Sequence, residues 1–144
     1  MSRYAGSVAG ITPATANDNW ALDTTSTSVG GSVLEVSWGG EVTTSTAMRT
    51  RIARASTQGT TTTAGNVQKI HSRAPTNTIV FATSAWTTQP TLSAGGLFET
   101  SWNAHGGVVR WLAAPGEEFI IIGSAGISCR NGTGKLDRLC PFAR

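Results

Sequence analysis

Residues 97–116 read LFETSWNAHGGVVRWLAAPG, and this stretch decides the fold class. From Leu97 to Asn103 the chain alternates, with Phe98, Thr100 and Trp102 on one face and Leu97, Glu99 and Ser101 on the other. A period of 2 marks a half-buried strand, because successive side chains of an extended chain point to opposite faces. His105-Gly106-Gly107 is a tight connection into a second extended run, Val108–Ala113, and Pro115-Gly116 is a turn signal. Two strands joined and bounded by glycine and proline point to a β-protein.

Working outward, the same period recurs. Val33–Trp38 places Leu34, Val36 and Trp38 on one face, and Gly39-Gly40 ends the run. Ala47–Ala55 alternates Met48, Thr50 and Ile52 with Arg49, Arg51 and Ala53, which predicts one core face and one wet, basic face. Short strands are expected at Val67–His71, Thr78–Thr83, Ile127–Arg130 and Lys135–Leu139, with loops at Thr60–Thr63 and Trp86–Pro90. Phe119–Ile122 is apolar throughout, as expected of a central strand covered on both faces. Asn131-Gly132 reads as a type I′ hairpin turn. No window carries the i, i+3, i+4, i+7 apolar pattern of a helix. The expectation is an all-β, antiparallel β-sandwich, jelly-roll-like, over residues 32–144.

Residues 1–31 read differently. Gly, Ala, Ser, Thr and Asn surround a few apolar residues, Pro13 interrupts, and Gly30-Gly31 closes the segment. Its apolar density is too low for a core element, so an extended N-terminal arm is expected.

Composition bounds the function. Charged residues make up only 13% of the 144, and Ser and Thr make up roughly a quarter, a surface suited to strands and turns. The net charge of +3 is mild, and no Lys/Arg run marks a nucleic-acid arm. No apolar h-region and no run of 18 apolar residues occurs, so neither a signal peptide nor a membrane partner is expected. Cys129 and Cys140 are read as two reduced thiols, a bridge between them requiring geometry that spacing does not supply.

Chemistry-bearing patterns are sparse. No G-x-S-x-G nucleophile turn, phosphate loop or dinucleotide fingerprint occurs. His71 and His105 stand at strand ends or loops, and an enzyme reading would need His105 gathered with Glu99 or Asp137. Glu117 and Glu118 are adjacent on the chain, so they point apart and suit a solvated turn. No metal or cofactor is expected. Asn131-Gly132-Thr133 matches a glycosylation sequon, but the turn reading of Asn-Gly takes precedence. Of the five tryptophans, Trp38, Trp102 and Trp111 fall in strand patterns and are assigned to the core or subunit contacts. Trp20 and Trp86 fall outside them and are read as interface anchors.

The segments Val36-Ser37-Trp38-Gly39-Gly40-Glu41, Thr46-Ala47-Met48-Arg49-Thr50-Arg51 and Gly106-Gly107-Val108-Val109-Arg110-Trp111, followed by Ala114-Pro115-Gly116-Glu117-Glu118, resemble small proteins of tailed bacteriophages and prophages. The resemblance covers roughly residues 32 to 130. It implies a non-enzymatic virion structural protein of the decoration (cement) or minor structural type. Its partners would be capsid or other virion proteins, with a homo-oligomer, a trimer first, on the capsid surface. The partner-binding residues expected on this reading are Arg3, Tyr4, Val8, Ile11, Trp20, Leu22, Arg49, Arg51 and Trp86. A tail- or fibre-associated module recognising a host glycan through Trp86 is the alternative.

Overall fold

The computed structural model describes residues 3–8, 18–24, 28, 30–61, 65–74, 79–83, 86–123 and 126–132. Among these the chain is all-β and antiparallel, with no helix. The strands are β1 (Tyr4–Ser7), β2 (Asp18–Thr24), β3 (Gly31–Val33), β4 (Glu35–Glu41), β5 (Ala47–Thr57), β6 (Thr60–Thr61), β7 (Asn66–Lys69), β8 (Ile79–Thr83), β9 (Trp86–Thr88), β10 (Thr91–Asn103), β11 (His105–Leu112), β12 (Phe119–Ile121) and β13 (Gly126–Gly132).

Five of them form one sheet in the order β10-β5-β13-β2-β8. The other ladders are the pairs β11-β4, β12-β3, β1-β7 and β6-β9. Ile52 of β5, Ile127 and Cys129 of β13, and Phe119 and Ile121 of β12 are the buried centre of the core. Trp20, Leu22, Leu97 and Phe98 pack on it from the five-stranded sheet, and Val33, Val36, Trp38 and Trp111 from the β3–β4 and β11 strands. Trp111 lies flat on Phe119, with ring centroids 3.9 Å apart, and Trp38 meets Phe98 edge-on at 6.3 Å.

One corner links the large sheet to the β4–β11 pair. Ala104 N–H donates to the Thr46 carbonyl (2.9 Å) and Val42 N–H to the Ala104 carbonyl (3.3 Å). The Asn103 amide oxygen accepts from the backbone N–H of His105 (2.9 Å) and of Thr46 (3.3 Å), and its amide donates to Ser45 Oγ (2.8 Å). Two glycines make the approach possible. A Cβ at Gly40 would stand 2.1 Å from the Ala104 carbonyl oxygen, and one at Gly107 the same distance from that of Asn103. The two paired strands therefore turn together, β5–β10 before the corner and β4–β11 after it.

The expected arm does not describe residues 18–24. Strand β2 lies between β13 and β8, with Ala21, Asp18, Asp23 and Thr24 buried. Tyr4–Ser7 pairs with Asn66–Lys69. Apolar density misjudged this segment because its buried polar groups have partners. The Asp18 carboxylate, wholly inaccessible, takes two bonds from Arg130, Nε to Oδ1 at 3.0 Å and Nη2 to Oδ2 at 2.8 Å. Asp18 N–H donates to Gln89 Oε1 (2.9 Å), and Thr24 N–H donates to Asp23 Oδ1 (2.6 Å). Buried polar residues satisfied in this way are compatible with a central strand.

Three further expectations are corrected. Asn131-Gly132 is not a hairpin turn: it continues β13, Asn131 opposite Thr50 and Gly132 opposite Arg49. Asn131 is buried and its side-chain oxygen accepts from Asn19 Nδ2 (2.8 Å), so the acceptor asparagine of the sequon lies inside the sheet. Thr60–Thr61 and Trp86–Thr88, expected as loops, pair with each other. Finally, Phe119–Ile121 is not a central strand, since it pairs with β3 alone. The expected strand at 135–139, Cys140, Asp137 and Ile11 lie outside the described residues.

Candidate functional site

Strand β12 is covered on one face only. A strand buried on both faces hides every side chain, whereas β12 hides Phe119 and Ile121 and turns Ile120 outward, 55% exposed. Ile122, next along the chain, is 48% exposed. On β11 the alternation is equally clean. Gly107, Val109 and Trp111 are half-buried, while Val108 (78%), Arg110 and Leu112 (62%) face solvent.

Leu34 joins this face. Alternation from Val36 and Trp38 places Leu34 inward, but it is exposed and Val33 packs on the core instead. The cause is a change of ladder partner. Val33 sits opposite Phe119, Glu35 opposite Leu112, and between them Ala113 N–H donates to the Leu34 carbonyl (2.9 Å). Residues 113–118 leave the ladder at this point and turn back, with Glu117 N–H donating to the Ala114 carbonyl (2.9 Å) and Gly116 at φ 87°. The change of ladder partner shifts the facing by one, and Leu34 is turned outward.

Five of the eight exposed large apolar residues among those described, Leu34, Val108, Leu112, Ile120 and Ile122, therefore gather on the β3–β4/β11–β12 strands. Scattered exposed apolar side chains are normal, but a contiguous patch of this kind marks an interaction surface. Amid them Arg110 clasps Glu35, Nε to Oε1 at 2.7 Å and Nη2 to Oε2 at 3.1 Å. The Arg110 hydrogen bond holds the Glu35 carboxyl below its usual range, and the same bond raises Arg110. Both are solvent-exposed, so the pair adds little stability. Its effect is to leave the centre of the face electrically neutral.

A groove of about 410 Å³ adjoins this face at Leu112. Trp111, Phe119 and Leu97 supply its apolar walls, and Arg54, Glu117 and Glu118 its charged ones. Arg54 is held by a bond from Nη1 to the Ile120 carbonyl.

The partner-binding residues expected from sequence are dispersed. Trp20 packs on the core and meets Phe81 at 6.2 Å, and Leu22 packs beside it, both of them partly buried. The Trp86 indole N–H donates to the Asp18 carbonyl (2.7 Å), a bond internal to the fold. Arg49 pairs with Glu99 at 2.5 Å, and Arg51 lies 3.9 Å from the same carboxylate and donates to the carbonyls of Ala94 and Ser93. Arg3 and Val8 are exposed beside the β1–β7 pair, where the Arg3 carbonyl accepts from Ile70 N–H (3.0 Å), and Tyr4 is half-buried. Sequence reasoning missed the outward face because it assigned β12 to the middle of a sheet.

Glu99, tied to its arginines, is not gathered with His105, whose ring nitrogen lies 2.8 Å from the Val42 carbonyl. No group of three metal-ligating side chains occurs among the described residues. Cys129 is a free, buried thiol, and burial pushes its pKa up to about 12. It is therefore a small core residue at neutral pH, far from the thiolate a nucleophile requires. Comparison of the chain with protein-family models, curated proteins and solved structures finds no match.

Proposed function

We propose that this protein is a virion structural component of the decoration type, a β-sandwich of jelly-roll character that works by binding other protein surfaces. The observation that carries the reading is the outward apolar face built on Val108, Leu112, Ile120, Ile122 and Leu34. A solvated enzyme surface has no use for five such side chains in one place, whereas an assembly contact buries them. The resemblance of residues 32–130 to small phage proteins supplies the setting, and repeated placement on a symmetric shell turns modest contacts into high occupancy.

The residues proposed to bind differ from those expected from the sequence. Asp18 and Asn19 are held inside the sheet by Arg130 and Asn131, so residues 18–24 do not serve as a free strap. Deleting residues 1–19 is expected to unfold the domain as well as to abolish binding, and that truncation does not isolate a docking function. The better experiment mixes purified protein with empty phage heads and measures occupancy by co-sedimentation and electron microscopy. Saturable decoration at symmetric positions supports the proposal; absence from heads and tails alike at high concentration refutes it.

A second reading, a tail module that recognises a glycan, draws on the groove that adjoins the face at Leu112. Trp111 offers aromatic surface beside Arg54, Glu117 and Glu118, the mixture of stacking and hydrogen-bonding groups that sugars use. On this reading Trp111 replaces Trp86 as the aromatic contact. Glycan-array binding lost on Glu117→Ala favours it, and an empty array removes it.

A further inference from the structure

We infer that the outward face of the β3–β4 and β11–β12 strands is covered in solution by a second copy of this chain, the two copies related by a two-fold axis. The inference deepens the assembly reading above and rests on it, by naming the partner that the face takes first.

Area is the first argument. The five exposed apolar side chains together present roughly 500 Å² per copy, at the upper end of what monomers leave uncovered. With the flanking Ser37, Gly39, Glu35 and Arg110, the face approaches the ~800 Å² per partner of a stable interface. A two-fold pair buries the same patch twice and needs no other surface.

Charge is the second. A surface that pairs with itself cannot carry excess charge of one sign, because like charges would be brought together. Along the segment from Val108 to Leu112 and its ladder partners Gly39 to Glu35, the only charges are Arg110 and Glu35, one of each sign and already bonded. Under a two-fold axis these can keep their bonds or exchange partners, and either arrangement leaves no buried charge alone.

Relief is the third. Val108 lies opposite Gly39 in the ladder, so the most exposed side chain of the face stands beside a position with none. A Cβ on Gly39 would meet only Val108 Cγ2 at 3.7 Å and the Gly107 carbonyl oxygen at 3.6 Å, which leaves a shallow open trough on the strand. A projection next to a trough on one surface is self-complementary, since each copy offers the other what it lacks. A trimer does not bring a surface patch onto itself, and a two-fold axis does.

Sedimentation-velocity ultracentrifugation of the purified protein across a range of concentrations tests this. The wild type is expected to run as a monomer–dimer equilibrium with Kd on the order of 1–10 µM, the weak end of the range that interfaces of this size span. Leu112→Glu and Ile120→Lys, each on an exposed side chain, are expected to raise Kd about 100-fold with unchanged circular dichroism and melting temperature. Ile70→Lys, equally exposed but following β7 on a different pair of strands, is expected to leave Kd unaltered. A wild type that stays monomeric, a trimer, or a dimer that survives both face substitutions overturns the inference. Failure of the dimer to decorate phage heads would instead remove the virion reading and leave the pairing standing. Decoration by a strictly monomeric protein would do the reverse.

Discussion

Cutting Arg130 back to alanine leaves the Asp18 carboxylate with neither water nor a cation. Asp18 is fully inaccessible and both its oxygens take Arg130 bonds, at 3.0 and 2.8 Å. Removing one partner of a buried pair costs about 3–5 kcal/mol, because the remaining charge is left without compensation. The two ends are not equivalent. Arg130 keeps 27% of its side chain in solvent and a second bond, Nη2 to the Pro90 carbonyl at 3.2 Å, so without Asp18 it still has somewhere to place its charge. Arg130→Ala is therefore expected near the upper end of that range and Asp18→Ala near the lower. A domain of this length has roughly 7–20 kcal/mol in all, so either loss is a large share. At about 2–4 °C per kcal/mol, Arg130→Ala should lower Tm by on the order of 10 °C or more. Urea unfolding followed by circular dichroism and tryptophan fluorescence measures both variants, and the double replacement Asp18→Leu with Arg130→Met should recover most of the loss. An Arg130→Ala variant within about 1 kcal/mol of wild type, or one milder than Asp18→Ala, would refute the claim that this pair anchors β2 in the sheet.

Two further outcomes follow from local geometry. Cys129 should resist iodoacetamide at pH 8 in the native protein and react once it is unfolded, as read by peptide mass spectrometry. Because its thiol is held protonated to about pH 12 when folded and ionises near 9 when free, the folded state binds the extra proton between those values. Its contribution to stability is present below pH 9 and is lost as pH rises towards 12, by about 1.4 kcal/mol per pH unit, and Cys129→Ala should flatten that part of the profile. At the corner, Gly40→Ala forces a Cβ to 2.1 Å from the Ala104 carbonyl oxygen and should cost about 1–3 kcal/mol or more. Gly95→Ala meets nothing within 4 Å and should stay within about 0.5 kcal/mol of wild type in the same melt.

The fold class was legible because period 2 is a local property. Alternation at residues 97–103 and 108–112, glycine and proline between the runs, and the lack of helical spacing needed no partner strand to be read. The core aromatics Trp38, Phe98 and Trp111 followed from that alternation. Leu34 and Ile120 did not. Which side chains are buried depends on register and on which face of the strand another layer covers. At Leu34 a change of ladder partner shifts the facing by one, and at Ile120 no second layer covers the outer face of the strand. The place of β2 was equally hidden: Asp18 looks like a surface residue until Arg130, 112 positions along the chain, meets it. Composition and spacing thus determined that this chain makes antiparallel strands. Only long-range pairing decided which strands lie in the middle, which polar groups are sealed inside, and which isoleucines and leucines are left facing water, because hydrogen-bond registers between distant segments leave no mark on either segment alone.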